Sequence, residues 1–142
     1  MKDDPTLNRF IEAQELSYER ALTEIKNGKK TSHWMWYIFP QLKALGLSDT
    51  AKYYGLVDIN EAEEYLKNPT LGKRLIEIST GLLKLESNDA NAILGSPDDM
   101  KLKSSMTLFG VLKDSDPIFK AVLTKFYEGK KDERTLEILN SK

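Results

Sequence analysis

The chain has 142 residues, of which 40% are hydrophobic and 30% are charged, and its formal net charge is −1. This length corresponds to one ordinary domain, so we expect residues 1–142 to form a single unit with its own core. A near-neutral charge provides no electrostatic basis for binding nucleic acid or an anionic membrane, and neither is expected as a partner.

The cysteine and histidine contents narrow the chemistry further. The sequence has no cysteine, which excludes disulfides, thiolate metal sites and a cysteine nucleophile. Its single histidine, His33, excludes a multi-histidine zinc site within one chain. A carboxylate-bound magnesium or calcium stays open as an alternative, but no loop has the matching spacing, and we expect neither a metal nor a cofactor. The segment 1–5 lacks the apolar core of a signal peptide, and no apolar run approaches the ~20 residues of a membrane span. A cytoplasmic location is therefore expected.

A long first helix is predicted from apolar residues that recur every three or four positions between residues 7 and 25. Asp4 or Thr6 can cap its start, and the pair 27–28, Asn-Gly, ends it. Gln14 interrupts the apolar stripe. We expect a buried amide bonded to backbone, because buried polar groups are normally satisfied; the alternative is that Gln14 reaches a functional site.

Short capped helices are predicted along the rest of the chain. Capping residues, in two cases followed by proline in the first turn, recur before apolar stripes, which is typical of helix starts. The predicted starts are Ser48, Asp58, Ser96-Pro97-Asp98-Asp99, Asp116-Pro117 and Asp132. No segment alternates convincingly as a strand. We therefore predict a compact all-α domain of about seven or eight mostly short helices.

Two segments hold more aromatic, basic and hydroxyl side chains than the rest of the chain. The first stretch, residues 32–41, holds both tryptophans and the only histidine. We predict a short helix ended by Pro40, because proline disfavours the helical conformation of its predecessor; a buried β-strand is the alternative. The second stretch, residues 96–109, combines lysines and hydroxyl residues on a predicted helix. We expect the two stretches to meet in space and to hold any functional site.

The two stretches together, SHWMWYIFPQ at 32–41 and GSPDDMKLKSSMTLF at 95–109, resemble the bacterial family catalogued as domain of unknown function 1810. The early segment RFIEAQ at 9–14 fits the same pattern, and the resemblance covers nearly the whole chain. It implies an all-α single-domain fold but no activity and no catalytic residues. Met100 stands where leucine is expected, and Lys103 where arginine is common. Members are sometimes mislabelled calpastatin, whose disordered, repeated character this chain lacks.

The second stretch suggests a pocket for a small anionic ligand. Lys101 and Ser105 are four residues apart on the predicted helix, as are Lys103 and Thr107, so each pair shares a face. Such a face suits a phosphate or carboxylate, and aromatic residues of the first stretch suit a planar ring, as in a nucleotide. No glycine-rich phosphate loop is present. The candidate ligand-binding residues are His33, Trp34, Trp36, Tyr37, Gln41, Lys101, Lys103, Ser104, Ser105 and Thr107.

Two alternatives involve no small ligand. In a purely structural explanation, the tryptophans fill the core and the hydroxyl groups bond to helix carbonyls. In an interaction module, Trp34 and Trp36 form an exposed patch for a protein partner or a homodimer, without catalysis.

A catalytic hypothesis also remains open, and whether the chain is an enzyme is uncertain from the sequence. His33 can act as a general base near neutral pH, with Ser104 or Ser105 as its nucleophile. Asp98 or Asp99 would then orient the imidazole ring. The same two acids are equally explained as first-turn residues that oppose the positive end of a helix.

Overall fold

The computed structural model describes residues 7–140, and helices joined by loops form this part of the chain. It confirms the all-α prediction, with nine α-helices in the described residues where seven or eight were expected, and no strand beyond an isolated bridge between Leu42 and Leu56. In chain order, the helices are α1 (Asn8–Lys26), α2 (Met35–Ile38), α3 (Asp49–Tyr53), α4 (Ile59–Lys67), α5 (Pro69–Leu83), α6 (Ala90–Leu94), α7 (Asp98–Gly110), α8 (Ile118–Tyr127) and α9 (Glu133–Asn140), with a 3-10 helix (Lys43–Leu45) between α2 and α3.

Side-chain caps set the starts of several short helices. Ser48, Asp58 and Asp132 each accept a hydrogen bond from the backbone N–H three residues later, at 3.1, 3.0 and 3.0 Å. These bonds satisfy donors that the first turn of a helix leaves without partners, and they confirm the predicted starts. Asp4 and Thr6, the expected caps of α1, lie outside the described residues.

The start of α7 differs from the prediction. Pro97 occupies the N-cap position, and no side chain caps the helix, so the expected role of Ser96 is wrong. The backbone N–H of Asp99 donates instead to the carbonyl of Gly95 at 2.9 Å. A main-chain oxygen thus takes the place of the serine hydroxyl. Asp98 and Asp99 lie in the first turn, as predicted.

Helix α7, which carries the second stretch, is central to the core. Every residue from position 104 to 110 is buried, and the helix packs against α4, α6, α8 and α9. The ring of Phe109 lies 5.4 Å from that of Tyr65 in α4 and 5.7 Å from that of Phe119 in α8, measured between centroids. Because α7 is surrounded on several sides, its inward-facing polar groups are shielded from solvent and can be hydrogen-bonded only by groups inside the protein.

The amide of Gln14 is buried, as expected, and bonded on both sides. Its nitrogen donates to the backbone carbonyl of Tyr37 at 2.8 Å and to the hydroxyl of Tyr65 at 3.0 Å. Its oxygen accepts from the guanidinium of Arg74 at 3.3 Å. Gln14 therefore joins α1 to the first stretch, to α4 and to α5.

The first stretch forms the predicted short helix, α2, and Phe39 and Pro40 follow its last residue. Two backbone hydrogen bonds join the chain after α2 to the segment that follows α3. Lys43 donates its backbone N–H to the carbonyl of Leu56 at 2.7 Å, and Leu56 donates to the carbonyl of Gln41 at 2.9 Å. These bonds hold Gln41 at the edge of the first stretch, where it faces the second.

Candidate functional site

The loop that leads into the first stretch is organised by Glu24 of α1. Its buried carboxylate accepts hydrogen bonds from the backbone N–H groups of Thr31 and Ser32 at 2.8 and 3.0 Å. It also accepts from the Ser32 hydroxyl at 2.6 Å and the Trp34 indole at 2.9 Å. Burial alone would raise the pKa of Glu24, but these four bonds outweigh it and lower the pKa to about 2.

The three candidate rings of the first stretch occupy different environments. Trp34 is fully buried, and its indole N–H is bonded to Glu24. Tyr37 is half-buried and donates its hydroxyl to Ser17 at 3.0 Å. Trp36 is half-buried, and the ammonium group of Lys101 lies 5.3 Å from its ring centroid. Trp34 is thus part of the core, whereas Trp36 reaches the second stretch.

The two stretches meet as expected, at Trp36 and Lys101, and a three-residue ion cluster joins the loop before the first stretch to the second. The ammonium of Lys30 lies 2.9 Å from one oxygen of Asp98, and that of Lys101 lies 3.7 Å from the other. Two cations therefore share one carboxylate. The cluster retains one positive charge at the junction of the stretches, although the whole chain carries −1.

A concave cleft of about 390 Å³ opens beside this junction, and we call it the Gln41 cleft. It lies between the segment from the 3-10 helix to α3, the exposed side of α7 and the start of α9. Its volume falls within the range of small-molecule sites, and its walls mix apolar and polar groups. The lining residues are Gln41, Leu45, Gly46, Leu47, Ser48, Ala51, Pro97, Met100, Lys101, Ser104, Asp132 and Arg134.

Two polar side chains of the Gln41 cleft are not used by the described fold. The amide of Gln41 has no hydrogen-bond partner within residues 7–140, and the guanidinium of Arg134 has neither a hydrogen bond nor an ion pair there. Ser104, in contrast, donates its hydroxyl to the carbonyl of Met100 at 3.2 Å. One oxygen of Asp132 accepts both capping bonds at the start of α9. Gln41 and Arg134 therefore remain available to a ligand.

A wider and more basic cleft of about 770 Å³ adjoins the first. The two clefts share Met100, Asp132 and Arg134. Five cations line the pair, namely Lys101, Lys103, Lys130, Lys131 and Arg134, against two carboxylates, Asp132 and Glu133. Electrostatic attraction at this side of the molecule therefore favours anions.

The remaining sequence candidates lie outside the Gln41 cleft. His33 is exposed and belongs to the walls of neither cleft. Lys103 lines the basic cleft, with its ammonium 6.0 Å from the Tyr127 ring. Thr107 is buried, and its hydroxyl accepts the backbone N–H of Asp132 at 2.8 Å, which joins α7 to the start of α9. Ser105 is fully buried with an unpartnered hydroxyl.

The catalytic hypothesis has no supporting geometry in residues 7–140. No hydrogen bond there joins the His33 imidazole to Ser104 or Ser105. Asp98 pairs with two lysines, and the carboxylate of Asp99 accepts the backbone N–H of Met100 at 2.9 Å. Neither acid is bonded to the histidine.

Arg134, the second cation of the Gln41 cleft, was not among the residues that the sequence pattern indicated. The capping pattern at Asp132 predicted the start of α9 correctly, which places Arg134 on an exposed first turn. No local pattern shows that this turn packs beside α7. The apolar wall from Leu45 to Leu47 was missed for the same reason, because it depends on the path of a loop.

Residues 7–140 contain no group of three or more His, Cys, Asp or Glu side chains placed to hold a metal ion. No helix in this part of the chain is both long and apolar enough to cross a membrane.

The fold and cleft define a small all-α domain, and comparison with known proteins places it in a family. Residues 4–139 match the family model described as protein of unknown function (DUF1810), so the chain belongs to that family. The structure is similar to the crystal structure of the conserved hypothetical protein Rv1873 from Mycobacterium tuberculosis, with a TM-score of 0.93 and 42% sequence identity. The similarity covers 96% of this chain and 99% of that one. No curated protein matches the sequence.

Proposed function

We propose that the Gln41 cleft binds a small anionic molecule that also carries a planar or apolar part, as a nucleotide does. The observation that supports this function is that three polar side chains, Lys101, Arg134 and Gln41, line one cleft of about 390 Å³.

The chemistry of the three groups is complementary. A guanidinium presents paired N–H donors that match a phosphate or carboxylate, and an ammonium acts as a compact, mobile charge. The free amide of Gln41 offers both a donor and an acceptor for an uncharged polar edge. Leu45 and Met100 provide apolar wall for the remainder of the ligand. Few precisely placed polar groups in a largely apolar cleft are typical of small-molecule sites.

The alternative, an interaction module or homodimer based on a tryptophan patch, has less support. Trp34 is fully buried, and Trp36 is half-buried beneath the ammonium of Lys101. Interfaces usually rest on exposed aromatic anchors. The two tryptophans do not present such a surface in this conformation.

The proposal predicts that nucleotides, sugar phosphates or small carboxylates stabilise the protein in a thermal-shift screen. A ligand at a hundred times its dissociation constant adds about 2.7 kcal/mol to the stability of the native state, which is easily measured. Arg134→Met retains an apolar stem but removes the charge. We expect it to weaken binding of the best ligand by roughly tenfold or more, since a hydrogen bond to a charged group contributes about 1.5–3 kcal/mol.

The control is His33→Ala, which removes a sequence candidate that lines neither cleft. This variant should retain the binding of the natural chain to within about threefold. No shift across the whole panel would refute the proposed function. Loss of binding in the control but not in Arg134→Met would place the site elsewhere.

A further inference from the structure

The Gln41 cleft continues into a narrow crevice whose walls are aromatic. We call it the Trp36 crevice, and its free volume is only about 10 Å³. Its apolar walls are Met35, Trp36, Phe39 and Tyr54. It shares Gln41, Ala51 and Lys101 with the larger cleft. A small change in one shared side chain would therefore join the two spaces.

Lys101 lines both the crevice and the larger cleft, and its ammonium group is weakly held. Its ammonium lies 5.3 Å from the ring centroid of Trp36 and 3.7 Å from the nearer oxygen of Asp98. Asp98 has a closer partner, because the ammonium of Lys30 lies 2.9 Å from its other oxygen. A lysine stem is flexible, and an anion in the adjacent cleft would compete for the Lys101 charge.

We propose that the Trp36 crevice is a latent subsite for a planar heteroaromatic ring, opened when Lys101 turns from Trp36 towards the anionic group of the ligand. This inference rests on the proposed function, because the anion in the Gln41 cleft supplies the new partner for the lysine. The ring takes the place of the ammonium group on the face of Trp36. The free amide of Gln41, which borders both spaces, bonds to the polar edge of the ring.

The ligand class follows from these contacts. Aromatic side chains stack on any base and favour planar rings over aliphatic ones. An amide that can both donate and accept favours a ring with heteroatoms at its edge. The molecule therefore carries an anionic group within reach of Lys101 and Arg134 and a heteroaromatic ring on the same short scaffold, which describes a nucleoside monophosphate.

The first test compares ribose 5-phosphate with the four common nucleoside 5′-monophosphates by titration calorimetry on the intact chain. We expect at least one nucleotide to bind about tenfold or more tightly than ribose 5-phosphate and to change tryptophan emission. The emission change should disappear in Trp36→Phe, because Trp34 is buried away from the crevice.

The outcomes separate the two proposals. Binding of ribose 5-phosphate with no nucleotide more than twofold tighter would overturn the ring subsite and leave the anion site intact. Absence of binding by all five compounds, together with a negative panel of carboxylates, would remove both.

A second test examines the role of Lys101 as the closing side chain. Lys101→Ala and Lys101→Met both remove the charge, but only alanine also removes the stem that covers Trp36. Adenosine, which has the ring and no anionic group, should bind Lys101→Ala at least fivefold more tightly than Lys101→Met. Equal affinities for the two variants would contradict the inference, and circular dichroism would verify that both retain the helical fold.

Discussion

A single carboxylate, that of Glu24, organises the loop that carries the first stretch. It accepts four hydrogen bonds within the segment 31–34, including the indole N–H of Trp34. Its pKa is about 2 in the folded protein against an ordinary value of 4.5. Because the folded pKa is the lower one, the carboxylate stabilises the fold fully above pH 4.5. This contribution, up to about 3 kcal/mol, is lost as the pH falls towards 2.

Replacing Glu24 with glutamine tests this dependence. The amide keeps one acceptor oxygen but places its own N–H groups against donors, so we expect stability at pH 7 to fall by about 3 kcal/mol. Urea denaturation at several pH values should show that the gap between the natural chain and Glu24→Gln narrows below pH 4.5 and is below about 1 kcal/mol near pH 2. Glu19→Gln, on an exposed position of the same helix, should show no such trend. A gap that stays constant with pH would contradict the role of the charge.

For single residues, the sequence predicts which side chains are buried better than it predicts their hydrogen-bond partners. Gln14 was expected to be buried because it interrupts an apolar stripe, and the structure confirms this. Its bonds to Tyr37 and Tyr65 are not encoded in that stripe. Glu24 was not singled out at all, because its donors come from a loop whose path has no periodicity. Composition could not decide between core and site for the tryptophans either.

Two glycines on α5 show how closely one element can depend on its neighbours. A Cβ atom at Gly72 would lie 2.1 Å from the backbone oxygen of Leu66, a separation that only a backbone shift could relieve. A Cβ atom at Gly81 would lie 3.4 Å from the Cγ2 atom of Ile25, which is ordinary contact. Helix α4 therefore requires the first glycine, whereas α1 only approaches the second closely.

The same substitution should have opposite effects at these two positions. Gly72→Ala should destabilise the protein by about 2 kcal/mol or more, because a backbone atom must move. Gly81→Ala should be neutral or stabilising by up to about 1 kcal/mol, because alanine favours the helix and its methyl group fits. Urea denaturation of both variants measures the difference. Equal destabilisation would show that α1 and α5 are packed more tightly than their separation indicates.

Helix boundaries were predictable wherever a local hydrogen bond determines them. Ser48, Asp58 and Asp132 cap helices as the sequence indicates, because a cap needs only a side chain and the next three residues. The prediction failed at Ser96, where the carbonyl of Gly95 takes the capping role through the conformation of the preceding turn. A cap that is supplied by a backbone carbonyl cannot be recognised from the pattern of residue types.

The Gln41 cleft forms only in the folded protein, from segments that are far apart in the sequence. Three segments form it, residues 41–51, 97–104 and 132–134, and the sequence pointed only to Gln41 in the first and to the second. Their residue types are conspicuous, whereas Arg134 belongs to an ordinary charged helix. The formal charge of −1 is likewise uninformative, because it averages a basic cleft pair with acidic surfaces elsewhere. Both the cleft and its positive charge depend on how α9 packs beside α7.

The carboxylate of Asp98 should weaken the binding of anions in the Gln41 cleft. It lies between Lys30 and Lys101 and neutralises one of the two charges at the edge of the Gln41 cleft. Asp98→Asn should increase the affinity for ribose 5-phosphate by about threefold at low salt, because the freed charge lies within a few ångströms of the cleft. The same variant should lose stability, since the largely buried ammonium of Lys30 loses its partner.

Asp99→Asn is the matched control, because it changes the same net charge in the same turn of α7. The carboxylate of Asp99 accepts hydrogen bonds from the backbone of Met100 and, at 3.4 Å, from the amide of Asn91, and it pairs with neither lysine. Titrations at low and high salt should therefore show a salt-sensitive gain for Asp98→Asn and almost none for Asp99→Asn. An equal gain in both variants would mean that anions respond to the overall charge of this end of the molecule. A gain confined to Asp98→Asn would locate the anion beside the ion cluster, because only that substitution leaves Lys30 and Lys101 without their carboxylate.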